Sequence, residues 1–170
     1  MITGVRGRLI SATFAHTELR SLPGATPPPP EFVAAHEGWA QRWASAMGPS
    51  ASLRTIGDAI VIPLLKLLGY EIRVRIDRPL HTVLEAVAGR ATTLPVVIVP
   101  WNELLDHTWR EAVRDAIVAD AKWCICCNGP RLRLVDGQRT WARAHLEFDL
   151  MLVPRDETAS MVFWNVMRCG

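Results

Sequence analysis

The sequence predicts an α/β protein in which a mixed sheet is flanked by helices. Three observations predict it. In several stretches apolar residues recur every three to four positions, which is the helical period. Other stretches alternate apolar and charged residues, the period of a half-buried strand. The two kinds follow one another as helix, helix, strands, helix, strands, helix, with no internal repeat. The 170 residues are enough for one domain. Hydrophobic residues make up 49% of them, ample for a core and too many for a disordered chain.

The elements follow in order. Residues 1–30 read as a poorly ordered or loosely packed N-terminal arm, with Pro27–Pro30 as a stiff polyproline spacer. An α/β domain follows over residues 31–170. Glu31–Met47 is expected to be helical, because Phe32, Ala35, Trp39, Trp43 and Met47 make one stripe and Gly48-Pro49 stops it. A tryptophan stripe at this spacing is core rather than a ligand box. Ser52–Leu68 is the second helix. Its face is Leu53, Ile56, Ile60, Leu64, Leu67 and Leu68, and Pro63 should kink it or mark an irregular turn.

Tyr70–Ile76 alternates, with Tyr70, Ile72, Val74 and Ile76 expected inside and Glu71, Arg73 and Arg75 in water. His81–Ala88 fits either strand or helix and is read as strand. Leu94–Pro100 is nearly all apolar, as in a central strand covered on both faces. Asn102–Asp120 reads as a helix burying Leu105, Trp109, Val113, Ala116 and Ile117. Lys122–Asp136 then reads as a hairpin about Asn128-Gly129, the dipeptide that best tolerates a tight turn. A two-residue loop would set Ile125 opposite Leu132 and Trp123 opposite Leu134. Trp123, Ile125, Leu132 and Leu134 then share one face, and Cys124, Cys126, Arg131 and Arg133 the other. Pro130 lacks an N–H, which leaves a wider loop open. In Thr140–Val153, Leu146, Phe148 and Leu150 alternate with Glu147 and Asp149, and Asp156–Met167 closes the chain as a helix.

Chemistry is harder to place. The net charge of +2 neither requires nor excludes a nucleic-acid partner. Arg131, Arg133, Arg139 and Arg143 crowd one segment with a single nearby acid, Asp136. On charge alone this is a solvated sheet edge; the sharper reading is a phosphate-contacting surface. Cys124, Cys126 and Cys127 fall on one strand, with no second Cys or His pair at metal-site spacing, so they read as reduced core cysteines. His16, His36, His81, His107 and His145 are scattered, and Asp106 suits a helix dipole better than a catalytic pair. Glu147 and Asp149 share a strand face and could form a carboxylate pair. No apolar run approaches the roughly 18 residues of a membrane helix, and no signal peptide is evident. The expected compartment is the cytoplasm.

A resemblance extends this reading. Leu67-Leu68-Gly69-Tyr70-Glu71 after an apolar helix, an apolar strand, a long helix, the stretch from Trp123 to Asp136, and then Arg143-Ala144-His145-Leu146-Glu147-Phe148-Asp149-Leu150 occur in order. Together they resemble the N-terminal region of single-chain type II restriction–modification enzymes that fuse an endonuclease to an adenine-N6 methylase. A similar hairpin occurs in type I restriction subunits. The resemblance covers about Trp39 to Met167. It implies a restriction-endonuclease-like fold with a PD-(D/E)XK core. There, a helix precedes a hairpin bearing an acid, and a later strand bears Glu-x-Lys before a helix. The two carboxylates hold Mg²⁺, which activates water, and the lysine stabilises the developing charge. The resemblance also makes the segment of Glu147 and Asp149 a structural strand and the two of them exposed acids.

The sequence departs from that pattern. The strand matching Glu-x-Lys reads Val97-Ile98-Val99. Asp77 is a weak candidate for the first acid and an ordinary turn residue otherwise; Asp58 and Glu71 lie nearby. A methylase's cofactor loop and Asn-Pro-Pro-Tyr loop are not found. The expectation is therefore a nuclease-like domain without catalysis, separately encoded or part of a longer methylase fusion. Its partners would be double-stranded DNA, through Arg131, Arg133, Arg139 and Arg143, and a methylase or specificity region of the same system. No membrane partner, no cofactor and no metal are expected. Two alternatives stand beside it. One is an active Mg²⁺-dependent endonuclease drawing on Asp77 with Glu71 or Glu85. The other is a purely structural oligomerisation domain.

Overall fold

Residues 2–89, 92–139 and 143–169 are described by the structure, a computed structural model. The N-terminal residues do not form a loose arm. β1 (Val5–Gly7) pairs antiparallel with residues 146–148, Val5 opposite Phe148, and Ile2, Ala15 and Leu19 are buried. Gly7 makes this edge pairing possible. Its φ is +126°, and a Cβ there would lie 2.2 Å from the His145 carbonyl oxygen. α1 (Ala12–Thr17) is capped by the Ser11 hydroxyl, which accepts from the Phe14 N–H. Three strand residues and isolated apolar positions carry too little periodicity to be read in advance.

α2 (Pro30–Ala46) has proline in its first turn, where a missing N–H costs nothing, and buries Phe32, His36, Trp39, Ala40 and Trp43. α3 (Leu53–Ile56) and α4 (Ile62–Leu67) are joined by a π-helical turn, Gly57–Val61. The Ile62 N–H there reaches back five residues to the Gly57 carbonyl. Pro63 follows directly, so the irregularity expected from proline takes the form of a π-bulge.

β2 (Glu71–Asp77) is the far edge of the sheet and departs from its expected alternation. Its register with β3 (Thr82–Ala88) shifts between Ile72 and Val74. One extra residue on a strand reverses the facing of everything beyond it. Ile72 packs on the core, but Val74 and Ile76 are 40% and 46% exposed. Arg75 turns inward instead and ion-pairs with Asp58 at 2.6 Å. β4 (Thr92–Ile98) is a central strand whose Val96, Val97 and Ile98 are fully buried.

α5 (Trp109–Val118) is shorter than expected. Residues 101–108 are held outside the helix by the hairpin turn. The Asn102 N–H bonds the Asn128 carbonyl at 3.1 Å, and Asn128 Nδ2 bonds the Glu103 carbonyl at 2.8 Å. Ile117, expected inside, is 65% exposed. β5 (Trp123–Cys127) and β6 (Arg131–Asp136) form the hairpin with Ile125 opposite Leu134 and Cys127 opposite Leu132. The register lies two residues from the one expected. Gly129-Pro130 turns the chain, and the Asn128 side-chain oxygen accepts from the Arg131 N–H at 3.0 Å. A slip of two keeps every side chain on its face, so the expected face sharing stands. β7 (His145–Asp149) and α6 (Glu157–Met167), capped by Asp156, complete the chain.

Among the described residues the seven strands form one sheet, ordered β1-β7-β6-β5-β4-β3-β2. β4 and β5 are parallel and the other neighbours antiparallel. The parallel pair requires a crossover, and α5 supplies it. The expected mixed sheet flanked by helices is therefore what the chain forms. One face packs Leu84, Val96, Ile125, Leu132 and Phe148 against α2, α4 and α6. The other packs Val97, Cys124, Cys126 and Val135 against α5 and Leu105. All three strand cysteines are buried. Burial pushes Cys127 up to about 12, and a bond to Cys126 together with burial raises Cys124. No described helix is long and apolar enough to cross a membrane.

His36 lies on the large-core face, 1% exposed, its ring centroid 5.1 Å from that of Phe163 and 5.3 Å from those of Phe32 and Trp39, with no partner for Nε2 among the described residues. Burial lowers its pKa to about 4 from 6.5. The folded pKa is below the unfolded one. Stability is therefore complete above pH 6.5 and falls as the pH drops toward 4, where the unfolded state binds a proton and the folded state does not. The loss from this group should be about 3 kcal/mol. Urea unfolding at pH 7 and pH 4.5 should show that His36→Phe has a shallower pH dependence than the parent chain. Equal slopes would show that His36 does not carry the effect.

Candidate functional site

The site is built on β6 and β7. Arg133 lies directly opposite Glu147. Side-chain alternation puts Leu134 and Leu146 on the large core, so Arg131, Arg133 and Glu147 fall on the α5 side of the sheet. Glu147, expected to be an exposed acid, is 7% exposed. Its Oε2 accepts from Arg133 Nε at 3.0 Å and Nη2 at 2.6 Å, and its Oε1 from Arg131 Nη1 at 3.1 Å. Asp106 reaches in from the loop before α5 and accepts from Arg133 Nη1 at 2.7 Å. Asp106, expected to suit the dipole of the following helix, is thus an ion-pair partner of Arg133. Burial works against the Arg133 charge, but the Asp106 and Glu147 carboxylates more than offset it and its pKa is raised. The Arg133 bond holds Asp106 below the usual carboxylate range.

Above this cluster lies a groove of about 740 Å³. Arg8 enters from the end of β1, where its N–H bonds the His145 carbonyl at 3.0 Å. Trp109, Arg110 and Glu111 come from the first turn of α5, and Asp106 and His107 from the loop before it. Arg143 comes from the segment leading into β7 and His145 from its first position, and Arg133 reaches the floor. Among the described residues no carboxylate is within ion-pair distance of Arg8, Arg110 or Arg143. The groove thus presents uncompensated cations at its rim over a neutralised floor, an arrangement suited to a polyanion.

The expected site residues divide. Arg131 and Arg133 are engaged by Glu147. Arg143 lines the groove with a positive φ of 44°, and Arg139 is exposed outside it. Arg139 follows a tight turn in which Asp136 Oδ1 accepts from the N–H groups of Gln138 and Arg139. Asp77 ends β2, where its Oδ1 accepts from the Thr82 hydroxyl at 2.8 Å and Arg75 Nε at 3.0 Å. The Thr82 bond and then Arg75 lower its pKa. Asp58 and Asp77 share a neighbour, but it is the Arg75 guanidinium. Glu85 pairs with Val74 on the opposite face, and Glu71 lies at the other end of β2. The structure does not bring Asp77, Glu71 and Glu85 together. Among the described residues no three His, Cys, Asp or Glu are grouped to hold a metal.

Comparison with known protein families, with characterised proteins and with solved structures finds no match. The site is therefore read from its own geometry. Arg8, Trp109, Arg110, His107 and His145 were not selected from the sequence, where they fall in three separate places: residue 8, residues 107–110 and residue 145. The one local signal was the run Asp106-His107-Thr108-Trp109-Arg110.

Removing one partner of a buried ion pair strands the other charge, at a cost of about 3–5 kcal/mol. Glu147→Ala should destabilise the protein by roughly that much in urea unfolding. Glu147→Leu combined with Arg133→Met should restore most of the loss, because the apolar pair leaves no buried charge, and the Arg131 and Asp106 charges left behind are exposed to water. A Glu147→Ala effect of less than about 1 kcal/mol would mean that the pair is solvated.

Proposed function

We propose that this chain is a nuclease-like domain without nuclease catalysis that contacts double-stranded DNA within a restriction–modification system, beside a methylase or specificity region. The observation that carries the reading is the groove whose rim cations, Arg8, Arg110 and Arg143, have no acid partner among the described residues. Phosphate contacts of this kind position a duplex without reading its sequence. Arg139 and Arg143 remain exposed and serve as phosphate contacts; Arg131 and Arg133 act beneath, by fixing the floor. The order of elements supports the nuclease-like ancestry. A helix (α4) precedes a hairpin (β2–β3), then a strand (β4) precedes a helix (α5), as in the resembling family. Val97 and Ile98 at the end of β4, with Val99 just beyond it, are the residues that the resemblance aligns with Glu-x-Lys, and they are packed into the two cores.

A scaffold reading draws on a different observation. Val74, Ile76 and Leu80 are exposed at the β2 edge, with Leu80 at 77%. Apolar side chains beside an open strand edge favour protein contacts.

Anisotropy with a labelled duplex across a salt series separates these readings. A DNA contact should weaken steeply with salt. Arg110→Ala with Arg143→Ala should lower the slope of log K against log salt by about 2. Absence of binding would favour the scaffold. Incubation with Mg²⁺ or EDTA tests the remaining alternative: cutting that needs Mg²⁺ and disappears in Asp77→Ala would refute the loss of catalysis.

A further inference from the structure

We infer that the basic groove takes a single nucleic-acid strand in preference to an intact duplex; this rests on the reading of the groove as a DNA-contacting surface and replaces its duplex occupant with a single strand. Shape is the first argument. Proteins read a duplex by inserting a convex element, a helix or ribbon, into a major groove about 12 Å wide. Here the charged surface is concave. Its volume of about 740 Å³ is in the range of clefts that enclose a small ligand, so it suits one or a few nucleotides. The part of α5 that lines it is the first turn, set beside the Arg133–Asp106 floor, and its far end presents Ile117 and Val118 to solvent.

Side-chain chemistry is the second. Trp109 lines the groove between Arg110 and His107, half-buried and packed against the core under α5. A ring held this way is a platform for a base, and flanking cations track the phosphates; the combination is how single strands are held without sequence preference. A base in an intact duplex has both faces covered by its neighbours and cannot stack on such a ring.

The polar groups fit the same occupant. His145 Nδ1 lies 3.2 Å from the Arg143 carbonyl, and His107 Nδ1 lies 3.5 Å from a Glu103 carboxylate oxygen. These contacts engage Nδ1 of each ring, and among the described residues Nε2 of each has no hydrogen-bond partner. Asp106 is neutralised by Arg133. Glu111, the remaining acid of the lining, is an acceptor for an exocyclic amino group of an unpaired base.

The test is anisotropy at low salt with the full chain and three labelled probes: a 12-nucleotide DNA strand, the corresponding duplex and the same strand as RNA. The strand should bind at least tenfold more tightly than the duplex. Trp109→Leu should remove most of that preference and Trp109→Phe should keep it. Because Trp109 also packs on the core, Arg110→Ala with Arg143→Ala provides a second, exposed variant, which should weaken strand binding about tenfold. Duplex binding equal to or tighter than strand binding overturns the inference and leaves the DNA-contacting reading intact. Binding of RNA alone keeps the single-strand inference and overturns that reading. Binding of no probe overturns both.

Discussion

The pairing of Arg133 on β6 with Glu147 on β7 is the constraint on which the α5 side of the molecule depends. Both side chains are buried on the α5 side of the sheet, beside the apolar cluster of Val97, Cys124, Cys126 and Val135, so neither charge is tolerable alone. Their opposition specifies the β6–β7 register, because a one-residue slip of β7 would turn Glu147 into the large core and leave Arg133 alone on the other face. Arg133 also reaches Asp106 and so draws in the loop that precedes α5. Leu105, buried beside it, secures the same loop by packing. From there the first turn of α5 is placed over β6, and the groove between them acquires its shape.

The two faces of the sheet are covered unequally. On one side α2, α4 and α6 bury a broad aromatic and aliphatic layer, with Phe148 edge-on to Phe163 at 4.9 Å. On the other a single helix lies over β4, β5 and β6. That helix is too short to cover seven strands, and the uncovered ends carry the features left over from folding. At the β1–β7 end these are the groove and its cations. At the β2 edge they are Val74 and Ile76, turned outward by the bulge. Both follow from the crossover: parallel β4 and β5 demand a connection over the sheet, and ten helical residues are what that connection provides.

Much of the fold was legible because it depends on parity and period. The hairpin is the clearest case. Its register was expected two residues away from where it lies, yet each side chain was assigned to the correct face, because only odd shifts change faces. β4 could be read as central from its unbroken apolar run, and α2 and α6 from their stripes and stops. The failures share a cause. At β2 a single bulged residue, invisible in composition, inverted the alternation. At α5 two bonds from the Asn128 turn held residues 101–108 out of a helix that their own pattern allowed. In the N-terminal residues a three-residue strand gained its stability from β7, not from its own sequence.

The same division holds for the site. The sequence by itself determined the layers: which residues are apolar, where the chain must turn, and that arginines gather around β6 and the segment before β7. It could not say which arginines are free. That was decided when β6 and β7 paired, because a carboxylate two strand positions from any turn is an exposed acid in one register and the counter-ion of Arg133 in another. Tertiary structure alone buried Arg133, tied Arg131 to Glu147, left Arg143 at the surface, and brought Arg8 and Arg110 beside it from distant parts of the chain. Local patterns encode which face a side chain occupies, whereas the fate of a charge depends on a partner whose distance is fixed only when the whole sheet has closed.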